Sequence, residues 1–290
     1  MEKSPRVVTQ GIDHVHLNVY QLEKVIELFT SLFQCKHNHP LLIEEVEGIN
    51  SMNSLGMDCF APASEDGIWG RMMAKTGEGV SAVSFYVDDL DEATRFIEAT
   101  GVRKISEIGF PEIERQTQFH PKDCFGMSLE LVYLYPDALE KMLAMQQGQA
   151  ADHGGQAYVE ARPGAVKTGG LHHVRLGVKS VEDLDAAIAK FETWFECSWQ
   201  QSEDGRSATS SLDVHLLVTD DGTQGINAFA MAVPDLDAAT RRVDQLGFNR
   251  VDAPDYLLES ERVVCLAPEH CFGLNLILVE SERVRLDRHH

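Results

Sequence analysis

The chain has 290 residues, 43% of them hydrophobic, and a formal net charge of −21 at pH 7. That length gives room for two domains of ordinary size, and so acidic a chain excludes nucleic acid and anionic membrane as partners, because nothing would neutralise phosphate. No apolar run reaches the length of a bilayer span and the opening MEKSPRVVTQ has no signal-peptide core, so a cytoplasmic protein handling small molecules is expected.

The predicted elements come in a fixed order. In GIDHVHLNV (11–19) the apolar side chains fall at 15, 17 and 19 and the polar ones at 14, 16 and 18, which is the period of a strand whose second face is wet or functional. That face carries His14 and His16. Residues 22–33 then place Leu22, Val25, Ile26, Leu28, Phe29 and Phe33 at helical spacing. Short strands are expected over 41–46 and 55–61. A second strand and helix follow in GVSAVSFYVDDLDEATR (79–95), with strands over 103–108, 114–120 and 127–133 and a helix over 136–147. The stretch AADHGGQAYVEARPGAVKTGG has no periodicity and reads as a connector. Beyond it, GLHHVRLGV (170–178) and GINAFAMAVPDLDAATR (225–241) repeat the two strand-and-helix openings, with strands at 212–219, 262–266 and 274–279.

The halves are therefore copies, and each half contains two related quarters that begin with Gly, pass through a strand and enter an acidic helix. Cys35 corresponds to Cys197 and Cys124 to Cys271, so the cysteine spacing reflects duplication and predicts buried thiols rather than disulfides.

Four α+β units of the form βαβββ, in two tandem modules, resemble the vicinal oxygen chelate superfamily, the glyoxalase, bleomycin-resistance and dioxygenase fold. The first half is similar to methylmalonyl-CoA epimerase through GIDHVHLNV, GVSAVSFYVDDLDEA and HPKDCFGMSLELV (120–132). The resemblance implies a first module at 1–140 with the active cavity, a helix and linker at 141–168, and a second, degenerate module at 169–290. It also implies a divalent metal (Mn, Fe, Co, Zn or Mg) held by His14, Asp58 and Glu130, with Glu130 as the proton-transfer residue. The family's third ligand falls on Ala82, which cannot coordinate. His16, two residues from His14 on the same face, either joins the metal set or meets substrate. His120, ahead of Pro121 at a turn, is the other candidate for binding substrate, and Glu44, Glu45 and Glu47 lie where the family keeps a second base. In the second half His173 and His215 match two ligand positions, but Ala228 and Ile277 stand at the others.

The resemblance thus implies a metal-dependent isomerase, epimerase or lyase that moves a proton beside a carbonyl of a small organic acid or acyl thioester. Two alternatives remain: a bleomycin-resistance-like binder without chemistry, and a ring-cleaving extradiol dioxygenase. A homodimer is compatible with either class.

Overall fold

A computed structural model of the chain describes residues 7–252 and 262–284. The terminal His289 and His290 lie outside the described residues.

In the first half the strands are β1 (Thr9–Asn18), β2 (Lys36–Asn38), β3 (Leu41–Ile43), β4 (Gly48–Asn53), β5 (Met57–Pro62), β6 (Gly79–Val87), β7 (Lys104–Ile108), β8 (Glu114–Phe119), β9 (Ser128–Leu134) and β10 (Tyr158–Glu160). The helices there are α1 (Leu22–Leu32), α2 (Ile68–Thr76), α3 (Leu90–Ala99) and α4 (Ala138–Ala150). The second half holds β11 (Gly170–Val178), α5 (Val181–Trp194), β12 (Trp199–Gln201), β13 (Ser207–Ser210), β14 (Val214–Val218), β15 (Gly225–Val233), α6 (Leu236–Gln245), β16 (Arg250–Val251), β17 (Val263–Leu266) and β18 (Asn275–Glu280).

Polar residues after three of the four opening strands have a local purpose. Asp89 and Asp235 accept the backbone N–H of Glu92 and Ala238, and Ser180 does the same for Asp183, so α3, α6 and α5 all start on a side-chain cap. The first sheet runs β10-β2-β4-β5-β1-β6-β9-β8-β7, with β3 beside β4, and the second runs β12-β13-β14-β11-β15-β18-β17-β16. In each sheet the opening strands pair in parallel with a later strand, β1 with β5 and β6 with β9, then β11 with β14 and β15 with β18. The turns before the last strands also repeat: Phe125 and Gly126 take φ of 56° and 83°, and Phe272 and Gly273 take 57° and 80°. The glycine absorbs the left-handed step at little cost.

The sheets follow the two halves, but the compact cores do not. Contacts gather Met1–His14, Ser81–Ala138 and His173–Asn227 into one unit, and Val15–Val80, Leu139–His172 and Ala228–His290 into the other. In the first unit the rings of Phe85 and Phe195 meet at 4.9 Å and the Trp194 indole N–H donates to Thr100 Oγ1. In the second, Phe29 meets Phe229 at 6.3 Å and the Arg242 guanidinium donates to the carbonyl of Ser31. Each of these units takes its apolar faces from a quarter of either half. The connector is also less loose than its composition suggests. Tyr158–Glu160 pairs antiparallel with β2, and the Arg162 and Val166 N–H groups donate to the carbonyls of Thr30 and Leu32.

Helix α2 is the element that periodicity does not predict. It is short and has a glycine inside, yet Gly70 is required there, since a Cβ would lie 2.3 Å from the carbonyl oxygen of Ser64. Glu47 accepts the Ile68 N–H at 2.7 Å and so holds the helix start. Only residues 219–224 separate β14 from β15, so α2 has no counterpart in the second half.

Candidate metal and acid–base site

Alternation along β1 turns His14, His16 and Asn18 to one face, while Val15, Leu17 and Val19 enter the apolar core. Glu130 comes from β9, which pairs in parallel with β6 so that Ser84 stands opposite it. From the other side β8 places Gln118 opposite the same glutamate. Thus a single carboxylate is flanked by polar residues from both neighbouring strands.

His14 is 1% exposed, His16 2%, Glu130 0% and Ser84 0%, while Gln118 is partly buried. Ser84 Oγ donates a short hydrogen bond to Glu130 Oε1, Gln118 Nε2 donates to Oε2 at 2.6 Å, and His14 Nε2 lies 3.3 Å from Oε1. His14 Nε2 is also 3.0 Å from Ser84 Oγ, and its Nδ1 is 2.9 Å from Asp13 Oδ2. Burial by itself disfavours the imidazolium, but hydrogen bonds to Asp13 and Glu130 and the charges of both outweigh it, so the His14 pKa is raised well above its ordinary value. A doubly protonated ring donates from both nitrogens, which fits both sets of contacts.

His14, His16 and Glu130 each present a ligand atom, and these atoms lie within 4.8 Å of one another. Two imidazoles and a carboxylate suit Mn, Fe, Co or Zn. These residues fit a divalent cation, and the Asp13 carboxylate on the far nitrogen of His14 is the partner that usually fixes a ligating histidine.

The remaining candidates are placed differently from one another. Asp58 faces His16 across the β1–β5 pair, its Oδ2 is 3.9 Å from His16 Nε2, and its Oδ1 accepts a hydrogen bond from Asn50. It adjoins His16 but is not one of the three clustered ligands, a place that His16 takes. Ala82 pairs with Ser128, two residues along the strand from Glu130. His120 caps a 3-10 turn, its Nδ1 accepting the Lys122 N–H at 3.1 Å. Glu44 lies in a 3-10 turn and Glu47 holds α2. Sequence reasoning missed Asp13, Ser84 and Gln118. The repeat could have shown Ser84, which aligns with His16 when Gly11 is set on Gly79.

In the second half the corresponding positions are apolar. Ala230 and Cys265 stand opposite Ile277 as Ser84 and Gln118 stand opposite Glu130. With Ala228 and Val279 they form a buried hydrophobic cluster. His173 and His215 stack face to face at 3.8 Å, and the Arg175 guanidinium donates to Asn227 Oδ1 at 2.6 Å.

No protein-family profile and no curated sequence matches the chain. Among solved structures, the Mn(II)-bound glyoxalase from Novosphingobium aromaticivorans aligns over 97% of this chain and 86% of its own, with a TM-score of 0.61 and 12% identity. The 2,3-dioxygenase LapB from Pseudomonas sp. KL28 aligns over 95% of this chain and 93% of its own, with a TM-score of 0.63 and 11% identity. Methylmalonyl-CoA epimerase from Mycobacterium tuberculosis is 23% identical, covers 47% of this chain and 95% of its own, and has a TM-score of 0.42. Two sheets of repeated βαβββ units, aligned with that glyoxalase and that dioxygenase over nearly the whole chain, show the vicinal oxygen chelate fold, with two modules in tandem.

Proposed function

We propose that the first half holds a divalent cation on His14, His16 and Glu130 and carries out proton transfer beside a carbonyl or carboxylate, as an isomerase, epimerase or lyase acting on a small organic acid or acyl thioester. The observation that carries this reading is the contrast between the halves: one strand position holds a buried Glu130 among polar partners, and its repeat holds Ile277 among apolar ones. Buried polar clusters are costly unless satisfied, and a fold that replaces one with hydrocarbon in its own duplicate keeps the other for a use.

A bound cation there supplies Lewis-acid polarisation of a substrate oxygen. The chain's own residues do the rest. Glu130 takes and returns a proton; Ser84 and Gln118 hold its two oxygens in a fixed plane. Asp13 orients His14 and sets which nitrogen faces the reacting group. Burial keeps water away from a carbon acid once its proton has left. The glyoxalase of this fold carries Mn(II), which makes Mn²⁺ the first ion to test.

One observation favours a second reading, ligand binding without chemistry. Both oxygens of Glu130 already have protein partners, so the carboxylate is stable in the fold without an ion. Metal analysis of protein purified without chelator, followed by deuterium exchange at the carbon next to the carbonyl in panels of 2-oxo acids and acyl thioesters, separates the two. Metal at one equivalent with exchange that Glu130→Gln abolishes supports the enzyme. Stoichiometric ligand binding with no exchange in any panel supports the binder.

A further inference from the structure

The polar face of β1 does not end at His16. Asn18, the next residue on that face, is 1% exposed, and its Oδ1 accepts no hydrogen bond among the described residues. In register it stands opposite Phe60, as His16 stands opposite Asp58. The Phe60 ring lies 5.3 Å from the His16 ring, and Trp69 from α2 stacks on Phe60 at 4.7 Å. The indole N–H of Trp69 is likewise buried without an acceptor. Phe60 is thus the register partner of a residue with an unused acceptor and the stacking partner of one with an unused donor.

A buried polar group without a partner is destabilising, so two of them on neighbours of one residue call for an explanation. We propose that Asn18, Phe60 and Trp69 form a subsite for an amide group of the ligand, whose N–H donates to Asn18 Oδ1 and whose carbonyl accepts from Trp69 Nε1. The inference rests on the reading that His14, His16 and Glu130 hold the reacting end. A neutral group with both a donor and an acceptor is what the pair satisfies. An ester or ketone lacks the donor, and a carboxylate lacks it too and would sit near the anionic Asp58. Two residues along a strand span about 6.6–6.8 Å, which sets the separation between the amide and the end held near His16. The second half has no equivalent, since the segment that carries Trp69 is absent there.

The test uses the full chain and two probes of equal length, the N-methyl monoamide and the monomethyl ester of adipic acid, titrated by ligand-observed NMR. Mn²⁺ binding is measured separately by water-proton relaxation, and each probe is titrated with and without Mn²⁺. A failed metal site and a failed subsite then give different results. The amide is expected to bind about 10-fold tighter than the ester or more, because a site built around a hydrogen bond rejects the analogue that lacks it. Asn18→Leu and Trp69→Phe should each reduce that preference to about twofold or less while keeping a wild-type melting profile. Equal binding of the two probes, binding of neither, or a preference that survives Asn18→Leu would overturn the subsite whether or not Mn²⁺ binds.

Discussion

Glu130→Gln tests whether the buried carboxylate is compensated by its protein neighbours. The substitution keeps the shape and removes the charge. The three contacts it disturbs are the Ser84 hydroxyl, the Gln118 amide at 2.6 Å and His14 Nε2 at 3.3 Å. Glutamine can still accept from Gln118, but its NH₂ then faces Ser84, whose hydroxyl must turn towards His14. Removing one member of a buried ion pair costs about 3–5 kcal/mol. The re-aimed hydroxyl recovers about 1 kcal/mol of that, so a loss of about 2–4 kcal/mol is expected. In a chain of this size that is a fall in Tm of roughly 5–10 °C. The measurement is thermal unfolding in EDTA from pH 6 to pH 9. His14 has a folded pKa above its unfolded 6.5, so its contribution is fully present below 6.5 and is lost as pH rises through the folded value. The gap between wild type and variant should therefore narrow at high pH. A variant as stable as wild type, or more stable, at pH 6 would refute the compensated pair.

Three further outcomes follow from the same structure. Mn²⁺ must displace the proton that Asp13 and Glu130 hold on His14, so its apparent affinity should weaken by about tenfold per pH unit below the folded pKa of that histidine; an affinity flat from pH 6 to 8 would count against His14 as a ligand. Ile277→Glu places a carboxylate among Ala228, Ala230, Cys265 and Val279; it should destabilise the chain by about 3 kcal/mol or more and gain no metal, and Mn²⁺ bound at two equivalents would contradict this. Burial pushes the thiols of Cys35, Cys124 and Cys271 up to about 12 and raises that of Cys59 well above its ordinary value. Cys197 is partly exposed, so native protein at pH 8 should give about one fast equivalent with a thiol reagent, and rapid labelling of three or more would be inconsistent with this packing.

The sequence by itself determined the repeated fold, because alternation along 11–19 and its three copies is a local pattern that a strand must obey whatever surrounds it. It also singled out His14, His16 and Glu130 as candidates, since each lies on a strand whose other face is plainly apolar. It did not show α2, whose helix depends on Glu47 capping from a distance and on close approach at Gly70. Nor did it show that His16, rather than Asp58, clusters with His14 and Glu130. Both are polar residues on adjacent strands, and only the packing decides which nitrogen or oxygen reaches Glu130. Gln118 was invisible for the same reason, and Ser84 was marked only by its alignment with His16 in the repeat: a serine or glutamine on a strand is ordinary until parallel and antiparallel registers set both opposite one carboxylate. The division of the core was beyond sequence as well. A periodic apolar face says that a helix is buried, but which quarter covers it is settled by contacts between residues more than a hundred positions apart, as Phe29 meets Phe229 and Phe85 meets Phe195.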